Sequence, residues 1–302
     1  MHKQQYTLIT GASQGFGKAL AFECARRGMN LVLVSLPGEL LPQLAASIRQ
    51  EFRVEAVTIE TDLCEEDSCA ALFNQVKAMK LQVNVLVNNA GIGSTQLFEH
   101  GSSAQYERQI RLNILATTTL THLFLDMLQK NSPAYILNVG SLASYFSLQK
   151  KQVYGATKSF VAYFSKSLRR ELKRKNVSVS VVCPGGMYTN DTCRQTIATG
   201  DFLSRASGMH PEEVAPIALN GLFRKKEVII PGKINWTLVF LNRFVPRFVV
   251  RFFEERTMKR LQAPALAAVR SIESSEPVFE LTCVKNNNHI RSSQQALQND
   301  GF

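Results

Sequence analysis

The sequence predicts a doubly wound α/β fold, in which helices cover both faces of a parallel sheet. Short apolar and β-branched segments alternate with longer segments of helical spacing up to about residue 233. The apolar segments are nearly continuous, which is typical of parallel strands buried on both faces. The chain has 302 residues, enough to bury a large core without disulfides or metal ions.

The predicted elements alternate regularly along the chain. Seven segments are predicted to be strands, at residues 6–10, 30–35, 54–60, 83–88, 134–139, 177–183 and 227–231. Residues 17–28 have helical spacing and end in a glycine, which suits a helix C-terminus. Residues 210–223 place Pro211 at a first helical position, with two acids in the first turn. Two long helices are expected at about 103–130 and 152–175, and such alternation predicts one sheet of about seven strands.

The composition changes after Gly232, so the sequence predicts three regions. Residues 1–233 form the α/β domain, and residues 234–262 form an apolar and basic segment with helical spacing. Residues 263–302 form a polar tail rich in Ser, Gln and Asn, a composition typical of disorder.

Cysteine usage and the N-terminus favour a cytoplasmic protein. The six cysteines are scattered without a CxxC pair, which argues against a metal site and against a disulfide framework. The sequence "MHKQQYTLIT" lacks the features of a signal peptide, and no apolar run reaches the length of a membrane-spanning helix. The net charge of +11 is consistent with nucleic acid, an anionic membrane surface or an anionic ligand as a partner.

Small and polar residues follow the predicted strands at their carboxyl ends, where doubly wound sheets bind ligands. The first strand runs into "TGASQGFG" at 10–17, which places three glycines between a strand and a helix. Glycine lets the backbone approach a pyrophosphate closely, and the helix N-terminus offers free N–H groups to the phosphates. A tight structural turn would have the same glycines, but their position after the first strand favours nucleotide binding.

Other strand ends carry comparable residues. They are "TDL" at 61–63, "VNNAGIG" at 87–93, "NVGSLAS" at 138–144 and "CPGGMYT" at 183–189. Ser141 lies just beyond the fifth strand, Tyr154 follows thirteen residues later, and Lys158 four residues after that. Positions i and i+4 share one helix face, so the Lys158 charge would stabilise the phenolate form of Tyr154. An ordinary surface Tyr–Lys pair is the alternative for these two residues taken alone.

Taken in order, these motifs resemble the short-chain dehydrogenase/reductase family over about residues 5–232. The matching residues are "TGASQGFG", "DL" at 62–63, "NNAG" at 88–91, "RLN" ending at Asn113, Ser141, "YGATK" at 154–158 and "PGGMYT" at 184–189. The resemblance implies a single Rossmann-type doubly wound parallel sheet with helices on both faces. It also implies a nicotinamide cofactor and a reaction that interconverts C=O and CH–OH groups.

The resemblance implies a set of residues that bind the cofactor along the strand ends. These are Gly11, Ser13, Gln14, Gly15, Phe16 and Gly17 around the pyrophosphate, Ser35, Asp62, Leu63, Asn88, Asn89, Ala90 and Gly91 on the adenosine side, and Tyr154, Lys158, Pro184, Gly185 and Thr189 on the nicotinamide side. Within this set, Asp62 is expected to bind the adenine amine, and Thr189 the carboxamide.

The same resemblance implies four catalytic residues. Tyr154 would protonate the oxygen of a ketone as hydride reaches the carbon, and Ser141 would hold that oxygen. Lys158 would support Tyr154 and bind the nicotinamide ribose, while Asn113 would position a water that links Lys158 to solvent.

The end of the second strand favours NADP(H) over NAD(H). An acid about twenty residues past the glycines usually binds the ribose 2′-hydroxyl of NAD, whereas Ser35 and Leu36 occupy that region and Glu39 is the first acid. Ser35 could bind a phosphate oxygen, although Gln14 and Leu36 replace the basic residue that is common in NADP-preferring relatives. This preference indicates reduction as the physiological direction.

Residues 234–260 bear on the substrate and on partners. Arginines and phenylalanines recur there at intervals of four, and residues 205–270 carry a net charge of +7. Such a segment suits a membrane-surface anchor, and a helix packed over the substrate cleft or against another subunit is an equal alternative. No nucleic-acid motif is present.

An apolar predicted lid at 190–209, with Phe202, Leu203 and Met209, favours a lipid-like ketone such as a 3-oxoacyl or keto-sphingoid chain.

Two other functions stay open at this point. A regulator that senses the cofactor without catalysis would keep the fold, but such proteins typically lose the tyrosine or lysine that this chain retains. A scaffold acting mainly through the polar tail is the other. A homodimer or homotetramer through the two long helices is expected from the resemblance.

Overall fold

The computed structural model describes residues 4–38, 40–189 and 207–242. These residues belong to the first of two compact units, Met1–Phe244. They form one seven-stranded parallel sheet with helices on both faces, as predicted. The predicted lid from 190 to 206, Glu39, and everything from 243 onward, including the polar tail, lie outside the described residues.

The strands and helices alternate along the chain. The strands are β1 Gln5–Thr10, β2 Asn30–Ser35, β3 Ala56–Glu60, β4 Gln82–Asn88, β5 Ala134–Val139, β6 Val177–Val182 and β7 Val228–Ile229. The helices are α1 Gly15–Arg26, α2 Leu40–Phe52, α3 Ser68–Ala78, α4 Ser103–Ile110, α5 Thr117–Lys130, α6 Gln152–Leu172, α7 Pro211–Phe223 and α8 Lys233–Asn242.

The sheet separates two hydrophobic cores, because successive side chains of a strand point to opposite faces. Ile9 of β1 packs with Leu20 of α1 in a core that α2 and α7 also cover. Leu8, its neighbour, packs with Phe124 of α5 in a core on the other face. Both faces are therefore buried, which explains the nearly continuous apolar sequence of the strands.

The strand order places the candidate site. It runs β3-β2-β1-β4-β5-β6-β7, so the sheet grows in one direction from β1 and in the other from β4. The helices that follow β1 and β4 cover opposite faces of the sheet, the arrangement that leaves a crevice beyond the carboxyl ends of these two strands. The glycine-rich loop after β1 and the "NNAG" sequence after β4 meet at this crevice.

Element boundaries differ from the predicted ones where local chemistry overrides the pattern. The predicted helix 103–130 contains a π-helical stretch, Arg111–Ala116, between α4 and α5. This stretch carries Asn113, whose side chain leaves the helix to bond Ile92. β7 shortens to two residues, and Gly28 lies two residues past the end of α1 with φ +74°, a conformation that favours glycine.

Of the basic segment, only its beginning is described, as α8. None of the helices in the described ranges has the length and apolarity that crossing a bilayer requires. The four cysteines within those ranges, Cys24, Cys64, Cys69 and Cys183, are free and buried. In the same ranges, no group of His, Cys, Asp and Glu side chains is arranged to hold a metal ion.

Candidate active site

The glycine-rich loop after β1 is closely packed and needs glycine at three positions. Gly11 and Gly15 have φ of +64° and +54°, which side chains rarely tolerate. A Cβ at Gly17 would lie 2.0 Å from the Gly11 carbonyl oxygen, so only glycine fits there. Gln14 precedes α1 without capping it through its side chain, and the first turn of α1 contains no acid. The N–H groups at the start of α1 therefore suit a bound anion.

Thr10 and Asn89 join the glycine-rich loop to the end of β4. The Thr10 hydroxyl accepts the N–H groups of Asn89 and Ala90, both at 3.0 Å, and donates to the Val87 carbonyl oxygen at 3.3 Å. The Asn89 side-chain amide donates to the carbonyl oxygens of Thr10 and Gly11 at 2.8 and 3.1 Å. These bonds fix both walls of the crevice.

A buried amide network lies behind that crevice. The Asn88 amide donates to the Thr121 hydroxyl at 3.0 Å and to the Asn138 side-chain oxygen at 2.8 Å. Asn138 in turn donates to the Ser165 hydroxyl at 2.9 Å, which joins β4, β5, α5 and α6. Asn88 therefore steadies the centre of the sheet from within and does not face the crevice with its amide.

Tyr154 and Lys158 lie on the first two turns of α6. The Lys158 ammonium is buried, donates to the Val139 carbonyl oxygen at 2.8 Å and lies 5.9 Å from the centre of the Tyr154 ring. Burial lowers the pKa of Lys158 to about 8. A Cβ at Gly91 would lie 3.2 Å from the Lys158 ammonium nitrogen, so the "NNAG" glycine leaves room for this side chain. A Cβ at Gly93 would lie 3.5 Å from atoms of the Tyr154 ring.

Ser141 begins the short turn after β5. Its hydroxyl oxygen accepts the Ala143 N–H at 3.1 Å. The Ser144 hydroxyl in the same turn donates to the Lys158 carbonyl oxygen at 2.8 Å, and the Leu142 N–H donates to the Pro184 carbonyl oxygen at 2.9 Å. The turn that carries Ser141 is therefore bound both to α6 and to the loop after β6.

Asn113 is buried beneath this group. Its side-chain oxygen accepts the Ile92 N–H at 3.0 Å, and its amide donates to the Ile92 carbonyl oxygen and to the Thr157 hydroxyl, both at 3.0 Å. Thr157 donates to the Tyr154 carbonyl oxygen at 2.8 Å. The Asn113 side chain thus joins the loop after β4 to the helix that carries Tyr154 and Lys158.

The residues expected on the adenosine side are Ser35, at the end of β2, and Asp62 and Leu63, in the turn after β3. The Ser35 hydroxyl donates to the Leu36 carbonyl oxygen at 3.0 Å, and Leu63 is buried. Partial burial acts to raise the pKa of Asp62, but bonds from the Cys64 N–H at 2.9 Å and the Arg108 guanidinium at 2.7 Å outweigh burial and lower it.

The loop after β6 closes the site from the other side. Thr189 lies against the glycine-rich loop, since a Cβ at Gly15 would be 3.1 Å from the Thr189 Cβ. Gly185 faces the buried side chain of Asn235 in α8, which would lie 2.9 Å from an added Cβ. Of the three residues predicted in this loop, Thr189 therefore lies beside the glycines, whereas Gly185 packs against α8 and the Pro184 carbonyl oxygen binds the turn that contains Ser141.

The structure brings most of the predicted residues to one edge of the sheet, but they differ in what they can offer a ligand. Ser13 is partly exposed and Gln14 is exposed, whereas the Phe16 side chain lies in the core, so Phe16 could contact a ligand only through its backbone. A separate depression of about 420 Å³, lined by Tyr6 and Lys80 among others, lies at the opposite edge of the sheet, away from every predicted site residue.

Sequence reasoning missed three residues of this edge. Thr10 belongs to the quoted glycine motif, but its bonds to the β4 end depend on the strand order. Thr157 lies inside "YGATK", where the resemblance assigns roles only to the tyrosine and the lysine. Arg108, the partner of Asp62, is separated from it by 46 residues, and no pattern in the sequence indicates the pair.

A family model described as short chain dehydrogenase matches residues 5–197. The chain is 34% identical over 187 residues to the very-long-chain 3-oxoacyl-CoA reductase of Bos taurus, covering 60% of this chain and 58% of that protein. It is 30% identical over 223 residues to the 3-oxoacyl-(acyl-carrier-protein) reductase FabG of Aquifex aeolicus (strain VF5), covering 70% of this chain and 88% of that protein. The match thus spans less than two thirds of the vertebrate relative.

A solved structure of a short-chain dehydrogenase from Sphingobium yanoikuyae in complex with NADPH superposes with a TM-score of 0.69. The two sequences are 27% identical, and the superposition covers 92% of this chain and 98% of that one.

Proposed function

Because the chain belongs to the short-chain dehydrogenase/reductase family, we propose that it is an oxidoreductase that transfers hydride between NADP(H) and a ketone or secondary alcohol. The observation that carries this proposal is the buried Lys158 ammonium beside the Tyr154 ring, with the turn that contains Ser141 bonded to the same helix through Ser144. A buried charge costs free energy, and a fold retains one where chemistry needs it.

In this proposal each residue around the crevice has a separate role in the reduction of the ketone. The nicotinamide, when bound, supplies the hydride. The Tyr154 hydroxyl gives its proton to the ketone oxygen, so that one hydride and one proton convert C=O to CH–OH. The Ser141 hydroxyl donates a hydrogen bond to that oxygen, and the Lys158 charge stabilises the negative charge that remains on Tyr154.

The cofactor residues fit a dinucleotide for physical reasons. The loop glycines and the uncapped start of α1 would hold the pyrophosphate, and Asp62 would accept a hydrogen bond from the adenine amine. Thr189, beside Gly15, would reach the nicotinamide half, and the Lys158 ammonium would bind the ribose hydroxyls beside it.

We propose NADP(H) as the preferred cofactor and reduction as the direction. The absence of an acid between Ser35 and Gly38 supports this preference, since nothing in that stretch repels a 2′-phosphate. One feature of the structure opposes this preference. The Glu60 carboxylate accepts the Gly38 N–H at 3.2 Å, which places a negative charge beside the stretch where a 2′-phosphate would bind. Titration with NADPH and NADH tests the preference, and tighter binding of NADH would contradict it.

The proposed substrate is an apolar ketone, with a 3-oxoacyl thioester as first choice and a keto-sphingoid chain as second. Two relatives named as 3-oxoacyl reductases support this class. The test is a panel of 3-oxoacyl thioesters of increasing chain length, a keto-sphingoid base and a small ketone, each with NADPH. We expect turnover to rise with chain length. Cofactor binding without turnover on any ketone would favour the sensing regulator instead.

We propose that α8 contacts a membrane surface. The helix buries only Asn235 fully, whereas Ile234, Trp236, Phe240 and Leu241 are about half exposed, so its apolar residues face outward. Basic residues continue along the sequence after α8, which suits anionic headgroups. We expect the full chain to sediment with phosphatidylserine vesicles and Trp236→Ser to weaken this; no binding to such vesicles would refute the contact.

We propose a homodimer or homotetramer through α5 and α6. Leu115, Phe160 and Tyr163 are exposed apolar side chains on or beside these helices, and Phe160 stacks on Phe164. Light scattering of the parent and of Tyr163→Glu tests this surface. We expect the parent to be oligomeric and the variant to dissociate; a monomeric parent would contradict the proposal.

A further inference from the structure

Arg108 of α4 binds the carboxylate of Asp62, the residue that the proposed function assigns to the adenine. Its guanidinium donates to one Asp62 oxygen at 2.7 Å, while the Cys64 N–H donates to the other at 2.9 Å. With both oxygens bound to groups on different elements, rotation of the carboxylate is restricted. Each oxygen keeps a lone pair for one more donor.

A second contact fixes Arg108 itself. The Cys64 thiol lies 3.8 Å from the Arg108 carbonyl oxygen, so the turn after β3 touches both the backbone and the side chain of this residue. Helix α4 begins with a complete capping box between Ser102 and Gln105, which fixes the turn that precedes Arg108. The guanidinium is therefore delivered from a well-anchored helix.

The pair has little to contribute to stability. The Arg108 side chain is 47% exposed and that of Asp62 22%, and exposed ion pairs contribute only about 0–1 kcal/mol. Arg111, one turn later in the chain, forms a pair of the same kind with Glu107 and is 45% exposed. The Arg108 pair differs from the Arg111 pair because its partner, Asp62, is the residue expected to bind the adenine amine.

We propose that Arg108 is a positioning residue, which orients the Asp62 carboxylate so that it accepts a hydrogen bond from the exocyclic amine of the cofactor adenine. This inference rests on the proposed function, because it requires a bound adenine dinucleotide. Arg108 acts through Asp62, since a guanidinium has no acceptor for an amine.

The test compares two cofactors that differ at the amine. Reduced nicotinamide hypoxanthine dinucleotide phosphate carries a carbonyl oxygen where NADPH carries the amine. Binding of each to the full-length parent and to Arg108→Met, Arg108→Lys and the matched control Arg111→Met is followed by cofactor fluorescence. We expect the parent to prefer NADPH and Arg108→Met to lose about 5–10-fold in NADPH affinity, as for loss of one oriented charge-assisted bond.

The hypoxanthine cofactor separates positioning from a general structural effect. We expect its affinity to change less than about twofold in Arg108→Met, Arg108→Lys to recover part of the preference, and Arg111→Met to match the parent. Equal losses for both cofactors, or tighter NADPH binding by Arg108→Met, would overturn the inference. A parent that binds NADPH without preferring it over the hypoxanthine cofactor would overturn the inference alone, whereas a parent that binds neither would also refute the proposed function.

Discussion

Replacing Lys158 with methionine is expected to change the pH dependence of stability, because the lysine is buried as a charged group. Below pH 8 the ammonium is charged in both the folded and the unfolded chain, so the full cost of burying it is present. Between pH 8 and the ordinary lysine value of 10.5 the folded chain releases its proton first, and the cost is relieved. Methionine has a similar length and no charge, so the variant has neither the cost of burying a charge nor the relief of that cost at higher pH.

The magnitude follows from the two pKa values. A shift from 10.5 to about 8 corresponds to a cost of about 3 kcal/mol at pH 7, which falls to about 1 kcal/mol at pH 10. Methionine also leaves the Val139 carbonyl oxygen without its donor, which costs about 1–3 kcal/mol at every pH. The net effect at pH 7 is therefore small, but the parent should gain about 2 kcal/mol over the variant between pH 7 and pH 10.

Urea unfolding of the full-length parent and of Lys158→Met at pH 7, 8, 9 and 10, followed by circular dichroism, measures this difference. Lys77→Met, on the exposed face of α3, is the matched control for general effects of pH and of losing a lysine. A difference in unfolding free energy between parent and Lys158→Met that stays constant from pH 7 to pH 10 would refute the buried charge.

Three further predictions follow from the same edge of the sheet. Gly17→Ala should weaken NADPH binding by more than about tenfold in a fluorescence titration, because the new Cβ collides with the Gly11 carbonyl oxygen; unchanged affinity would contradict the fit. Thr10→Val leaves the Ala90 N–H without its acceptor, while the Asn89 N–H keeps the Val87 carbonyl oxygen at 3.1 Å, and should lower the unfolding free energy by about 1–3 kcal/mol in urea, whereas a loss below about 0.5 kcal/mol would contradict this. Ketone reduction should fall above about pH 8 as Lys158 loses its charge, and a flat rate profile to pH 10 would count against its role.

The positions of the strands could be predicted from the sequence, but their order in the sheet could not. β1, β2, β4, β5 and β6 agree with their predicted bounds to within one residue, because a continuous apolar run is a strong local signal. β7 is shorter than predicted, since only Val228 and Ile229 pair with β6. The order of the strands has no local signal, and the resemblance implied only a doubly wound parallel sheet, so the order came from the structure.

In the site, too, residues within a local motif could be predicted, but their long-range partners could not. Gly11, Gly15 and Gly17 could be predicted because a glycine loop after a first strand has a recognisable pattern. The partners that fix these residues could not, since the Thr10–Asn89 bonds and the Arg108–Asp62 pair join positions 46 to 79 residues apart. Such contacts depend on how elements pack, and a single sequence carries no trace of them.

The account depends most on Tyr154 as the proton donor, and single-turnover reduction by Tyr154→Phe tests it directly. With NADPH and the best ketone of the panel, we expect the hydride-transfer rate to fall at least about a hundredfold, while the NADPH dissociation constant stays within about twofold of the parent. A phenylalanine variant that reduces the ketone as fast as the parent would contradict the mechanism.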